Sequence, residues 1–213
     1  SMTAAGTAAP TTTPMTRREF LYYVWSASMA LFMAEFGGAI LWFALPRFKP
    51  GEFGGKFTLP VTEIPSIDSE PKDYPAGRFW LVNLGSKRAT DSRQPADYPV
   101  QEGVMAIYKV CVHLGCLYKW VLVNDRFECP CHGSKYLATG TRVDGPATRN
   151  LDVFIMRALD DQGNELAKTQ AGDPTNDPKA GAPFVLPSGT AFIEVDTSKR
   201  IQGGYNTKPG GGK

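Results

Sequence analysis

The chain has 213 residues, with 23 Lys and Arg against 21 Asp and Glu, a formal net charge of +2 and 21% charged residues. It can bury a sizeable core, but it carries no basic run that could neutralise phosphates, so a nucleic-acid partner is excluded. Its 22 glycines and 17 prolines favour a loop-rich β protein over a helical bundle, and its 4 cysteines are too few for a disulfide scaffold.

Residues 1–16, SMTAAGTAAPTTTPMT, are small, Thr-rich and Pro-containing, which predicts a disordered arm. Residues 17–46 are predicted to form a membrane anchor. From Phe20 to Leu45 there are 26 residues with a single charge, Glu35. At about 1.5 Å per residue a helix of that length spans a hydrocarbon core of roughly 30 Å. Tyr22, Tyr23 and Trp25 near one end and Trp42 near the other suit the two interfacial belts. Glu35 is costly in lipid and is expected to face a partner subunit. Thr16-Arg17-Arg18-Glu19-Phe20-Leu21 resembles the twin-arginine export signal, S/T-R-R-x-F-L, which implies an N-terminus in the cytoplasm and the remainder on the extracytoplasmic side. No A-x-A cleavage site follows, so the segment is expected to stay as an anchor in the lipid bilayer.

Residues 47–60 read as a flexible linker, with Gly51, Gly54 and Gly55 between two prolines supplying freedom for a head domain to move. From residue 61 to 213 the pattern is β. Short aromatic or β-branched runs at 78–84, 103–110, 118–123 and 191–195 predict strands. The polar, Pro-rich stretch 86–99 predicts a loop, and 160–190 predicts a surface excursion with little capacity for core formation.

All 4 cysteines fall within 21 residues (111–131), and the only 2 histidines, His113 and His132, lie among or directly beside them. CVHLGC (111–116) contains Cys111, His113 and Cys116; CPCHGS (129–134) contains Cys129, Cys131 and His132. Each follows a predicted strand, so the two loops could close around one object. Thiolates and imidazoles at paired spacing are metal ligands, and two metals compete. A structural zinc takes four ligands and would leave two cysteines idle. An iron–sulfur centre in which two histidines replace two cysteines on one iron also uses four, and leaves two cysteines to form a disulfide. Gly115 and Gly133 would allow tight turns where a Cβ close to a metal would clash.

The paired boxes C-x-H-L-G-C and C-P-C-H-G-S resemble those of Rieske iron–sulfur proteins, of the disulfide-bearing kind found in cytochrome bc- and bf-type quinol-oxidising complexes. The likeness covers the anchor, the linker and roughly 100–150. It implies an all-β Rieske-type antiparallel sheet domain, with a cluster-binding subdomain at about 108–150, behind a single N-terminal transmembrane helix. It implies a 2Fe-2S cofactor whose inner iron is bound by Cys111 and Cys129 and whose outer iron is bound by His113 and His132. It implies a Cys116–Cys131 disulfide, and Ser134 and Tyr136 hydroxyls donating to cluster or ligand sulfur. Leu114 would shield the cluster from water. Gly145-Pro146-Ala147 resembles the family's proline loop on the third side, but Thr148 stands where the second proline is usual, which makes the loop less rigid. The 12 residues between Cys116 and Cys129 are closer to the bf-type and bacterial members than to the longer mitochondrial form.

The function so implied is one-electron, proton-coupled oxidation of a membrane quinol, with His132 or His113 receiving the proton. A cytochrome b-type subunit would be the partner, a c-type cytochrome the acceptor, and the chain an electron-carrying subunit of a quinol–cytochrome c or plastocyanin oxidoreductase. The alternative is the Rieske small subunit of a periplasmic oxidase, similar to arsenite oxidase, relaying electrons without touching quinol.

Overall fold

The computed structural model describes residues 14–45, 53–94, 102–173 and 180–204. The chain divides into two compact units, Ser1–Arg47 and Phe48–Lys213. In the first, α1 (Arg17–Ala44) is 28 residues long, roughly 42 Å at the standard rise, and apolar enough to cross a membrane. Its start is chemically specified. The Thr16 hydroxyl accepts the Glu19 amide, and the Glu19 carboxylate accepts the Thr16 amide at 2.9 Å, which together form a capping box. The apolar side chains of α1, among them Phe20, Leu21, Trp25, Phe32, Leu41 and Trp42, are exposed. The arm expected over 1–16 lies outside the described residues up to 13, and its boundary is corrected at Thr16, which belongs to the helix start.

Among its described residues, the second unit is built on two antiparallel sheets. The strands in chain order are β1 (Lys56–Pro60), β2 (Lys72–Tyr74), β3 (Phe79–Leu84), β4 (Gly103–Tyr108), β5 (Lys119–Val121), β6 (Arg126–Glu128), β7 (Lys135–Tyr136), β8 (Arg142–Asp144), β9 (Val153–Leu159), β10 (Glu165–Lys168) and β11 (Phe192–Ile201); a short helix α2 (Ser86–Ala89) follows β3. The larger sheet runs β1-β11-β9-β4-β3-β2, with β10 also on β9, and the smaller runs β5-β6-β7-β8. The fold is mostly β and antiparallel, behind one apolar helix.

The central strands explain how the sheets share a core. Successive side chains of a strand point to opposite faces. In FWLVNL of β3, Trp80, Val82 and Leu84 join one buried cluster while Phe79 and Leu81 join the other. In β4, Met105 and Ile107 go to the first; Val104, Ala106 and Tyr108 go to the second. The second cluster fills the larger sheet with Phe57, Phe154, Met156, Ile193 and Val195. The first cluster contains Cys111, Tyr118, Phe127, Cys129 and Tyr136. The apolar runs in β3 and β4 therefore form one rigid wall, and the cysteine loops sit on its first face.

Three expectations are corrected. The linker expected over 47–60 is shorter, because Lys56–Pro60 pair with Asp196–Phe192 of β11 as an edge strand. Gly54 and Gly55 do not supply freedom either. The Gly54 amide donates to Thr197 Oγ1 at 2.9 Å, and the Gly55 carbonyl accepts from the Thr197 hydroxyl at 2.7 Å and from the Thr197 amide at 3.0 Å. Gly51 and Arg47 lie outside the described residues. The 160–190 excursion is also not free of the core. Glu165–Lys168 form β10 against β9, Thr169 and Ala180 are buried, and Phe184 bridges back to Val104. A short polar strand such as ELAK carries little alternation signal of its own, so its pairing is set by β9.

Candidate metal centre

The two cysteine boxes fold into loops with the same hydrogen-bond pattern. The Cys111 amide donates to the Cys116 carbonyl at 2.8 Å, and the Gly115 amide donates back to the Cys111 carbonyl at 3.0 Å. In the second box the Cys129 amide donates to the Ser134 carbonyl at 2.9 Å, and the Gly133 amide to the Cys129 carbonyl at 3.0 Å. Both glycines have positive φ, +83° at Gly115 and +76° at Gly133, which a Cβ penalises. No protein atom lies within 4 Å of a Cβ added at either, so among protein atoms it is backbone conformation rather than space that requires glycine.

This arrangement sorts the donor atoms by depth. Cys111 and Cys129 are free thiols, 2% and 3% exposed, while His113 is half-buried and His132 exposed. The two imidazoles face each other edge to face with ring centroids 4.8 Å apart. Cys116 and Cys131 are joined as a disulfide with Cα atoms 6.6 Å apart, so the two loops are covalently linked. The sulfurs of Cys116, Cys129 and Cys131 lie within 4.8 Å of one another, but two of the three are bonded together and cannot act as thiolate ligands.

Behind the thiols lies an aromatic wall. The Tyr136 hydroxyl is 3.2 Å from Cys111 Sγ, and the Tyr136 ring contacts the Tyr118 ring at 5.9 Å. Tyr118 is itself held by its hydroxyl donating to the Tyr108 carbonyl at 2.7 Å. Burial first, then the neighbouring Cys111 sulfur, pushes the Tyr136 phenol far above its ordinary range, so it stays a donor. Burial likewise pushes the Cys129 thiol up, against the backbone amides of Cys131 and His132, which donate to its sulfur and favour the thiolate.

A third loop closes the site. Gly145 has φ +91°, and a Cβ there would stand 2.5 Å from Ser134 Cα and 2.7 Å from the Gly133 carbonyl oxygen, so its backbone lies directly on the second box. The Ala147 amide donates to Ser134 Oγ at 3.1 Å, and both residues are buried. Ser134 is therefore engaged with the third loop as an acceptor, and its side chain also hydrogen-bonds Tyr136. Leu114 is 69% exposed and places apolar surface on the outside of the first box. Sequence reasoning missed Tyr118 and Arg142. Tyr118 lies in a run predicted as strand and carries no motif; Arg142, whose guanidinium donates to the Gly145 carbonyl at 2.6 Å, is three residues from its partner and gives no pattern to read.

The residues fit a metal centre on grounds of their own. His113 Nδ1 is buried with no hydrogen-bond partner among the described residues, a costly state that a metal bond relieves. If Nδ1 is the ligand, Nε2 remains for the outside. The donor set is two sulfurs on the sheltered side and two imidazoles on the exposed side, which suits a centre whose two metals differ in environment.

Comparison with known proteins points the same way. Residues 81–155 match the family described as Rieske [2Fe-2S] domain. The cytochrome b6-f complex iron-sulfur subunit of Synechococcus sp. strain JA-2-3B'a(2-13) is 42% identical over 143 residues, 66% of this chain and 80% of that relative. The subunit of the same name from Synechococcus sp. strain JA-3-3Ab is 30% identical over the same shares. Among solved structures, the plasma membrane Rieske protein of Synechocystis PCC 6803 is 28% identical, covering 47% of this chain and 84% of that one, with a TM-score of 0.30.

Proposed function

This chain belongs to the Rieske iron–sulfur protein family of cytochrome bc- and b6-f-type complexes, and on that premise we propose that it takes one electron and one proton from a membrane quinol and passes the electron to a c-type cytochrome. The observation that carries the reading is the depth sorting of the site, with buried Cys111 and Cys129 behind the outward pair His113 and His132.

In this reading Cys111 and Cys129 hold the inner iron, and His113 and His132 hold the outer one. The bound 2Fe-2S group supplies a one-electron acceptor whose potential is raised because imidazoles replace two thiolates. The remaining chemistry belongs to the chain. Nε2 of an outward imidazole accepts a hydrogen bond from a quinol hydroxyl and then its proton. Exposed Leu114, the residue after His113, offers apolar surface for the quinol ring. Tyr136 donates toward Cys111 and stabilises added negative charge. The second quinol electron goes to a cytochrome b-type subunit. The anchor α1 holds the head at the bilayer, and the disulfide together with the Arg17-Arg18 pair supports an extracytoplasmic head. Since Gly54 and Gly55 are held by Thr197, a pivot for carrying the head between donor and acceptor would lie before Gly54.

A redox titration of the membrane-purified protein across pH, followed by electron paramagnetic resonance of the reduced state, tests the reading. A midpoint potential that falls with rising pH is expected if the imidazoles take up the proton. A potential independent of pH overturns proton uptake at His113 and His132. Co-purification without any haem b subunit overturns the quinol-oxidising assignment.

A further inference from the structure

The third loop poses a physical problem. Its backbone must stay against the second box, because the Ala147 amide reaches Ser134 Oγ, yet Thr148 lacks the ring that would fix φ there. Thr148 is exposed, and no backbone hydrogen bond from its amide is seen among the described residues. Something else must hold the loop.

We propose that Arg142 is the positioning residue that does so: by donating to the Gly145 carbonyl at 2.6 Å it pins the third loop and, through the Ala147 amide, sets the orientation of the Ser134 hydroxyl at the metal centre. The inference rests on the reading of that centre given above. Arg142 is well placed for the role. It opens β8, which pairs with β7 at Tyr136, so its backbone is registered to the wall that carries Tyr136 and Ser134. Its own amide donates to Asn150 Oδ1 at 2.9 Å, joining the start of the loop to its end. The adjoining Asp144 is tied on both sides, accepting Lys135 Nζ at 2.6 Å and the Gly145 amide at 2.8 Å. The loop is thus held at its entry by charged side chains, and Gly145 can approach Ser134 only because nothing stands between them.

The consequence for electron transfer is specific. A serine hydroxyl that accepts from Ala147 keeps its own proton to donate away from that amide, and its side-chain partner there is Tyr136, whose hydroxyl stands 3.2 Å from Cys111 Sγ. If the loop lifts, the Ser134 rotor is freed, its hold on the Tyr136 hydroxyl weakens, and the Tyr136 hydrogen bond to Cys111 sulfur is lost part of the time. The oxidised state is then favoured, because the reduced state loses a hydrogen bond that offsets its extra negative charge.

The test uses the full chain with its cluster and compares Arg142→Met, Arg142→Lys and Arg142→Met combined with Thr148→Pro. In Arg142→Met the reduced-to-oxidised ratio at a fixed ambient potential is expected to fall about threefold to tenfold, the size of one charge-stabilising hydrogen bond. Hydrogen exchange at the Ala147 amide should speed up in parallel. Arg142→Lys, which keeps a donor without the fork, should fall less, and Thr148→Pro should restore both readouts by fixing the loop covalently. An unchanged ratio and unchanged Ala147 exchange in Arg142→Met overturn the proposal, as does failure of the proline to restore either. If Arg142→Met does not accumulate, Arg142→Lys with and without Thr148→Pro decides by the same two readouts. Wild-type protein with no two-iron signal would instead overturn the functional reading, which separates the two failures.

Discussion

The Tyr136 hydroxyl stands 3.2 Å from Cys111 Sγ, and both residues are buried, Tyr136 completely. A hydrogen bond in that setting is not shared with water, so it acts on the sulfur at close to full strength. Tyr136→Phe should leave the cluster in place and lower its midpoint potential, with the reduced-to-oxidised ratio falling by about tenfold at fixed ambient potential. Potentiometric titration followed by circular dichroism reads the change. A wild-type potential in Tyr136→Phe contradicts the donor role.

The disulfide closes a segment with a sequence separation of 15. In the chain-entropy account a loop of that size stabilises the folded state by about 3 kcal/mol. Replacing Cys116 and Cys131 together by serine should lower stability toward guanidinium by roughly that amount and speed loss of iron to a chelator. Equal stability of variant and wild type would remove the bond from the account of the site's rigidity.

Gly145 adopts φ +91° with its missing Cβ 2.5 Å from Ser134 Cα. The neighbour is backbone, which cannot rotate away. Gly145→Ala should therefore cost at least about 1–3 kcal/mol in strain and displace the third loop. Denaturant unfolding together with exchange at the Ala147 amide checks this, and Gly163→Ala, where φ is +84° with no atom within 4 Å, provides the control for strain without a clash.

Thr197 bonds both Gly54 and Gly55, and Thr197→Val removes its two side-chain contacts. Proteolysis and amide exchange at 53–55 should rise while the cluster spectrum stays unchanged, because Thr197 lies on β11 and contributes nothing to the cysteine loops. If turnover in the complete complex rises as well, tethering at Gly54 limits head movement; unchanged turnover places the pivot wholly before it.

Two surface carboxylates link acid stability to the site. The Lys135 ammonium, then the Gly145 amide, hold the Asp144 carboxyl below its usual value, and the Arg126 guanidinium does the same for Glu128. Because both folded values are depressed, their contribution is complete above about pH 5 and disappears as pH falls below about 4. Asp144 is exposed and Glu128 half-buried, and solvent screening keeps the effect modest. Urea midpoints measured from pH 6 to pH 3 should decline, and Lys135→Met should flatten part of that decline. A parallel curve for Lys135→Met would show that the pair carries no pH-dependent stability.

Much of the site is legible in the sequence because ligands are chemically rare. Two histidines and four cysteines in 22 residues (111–132) leave few ways to divide them, and the box pattern is specific. The strands of the wall were legible for a related reason: FWLVNL and GVMAIY are apolar on both faces, and only a buried central strand accommodates that. Other features carried no such mark. β10 is four ordinary residues whose partner strand decides their conformation. Gly54 and Gly55 looked like linker glycines until Thr197, more than 140 positions away, was found holding them.

The amino-acid order alone determined which atoms could bind iron, which segment could cross a bilayer and which family the boxes resemble, since each depends on residue type and on short spacing along the chain. Tertiary structure alone decided the matched hydrogen bonding of the two loops, the place of Tyr118 in the aromatic wall and the arginine under Gly145. Those depend on where distant strands meet, and the pairing of β4 with β9 or of β7 with β8 is a property of the packed sheets that no local pattern encodes.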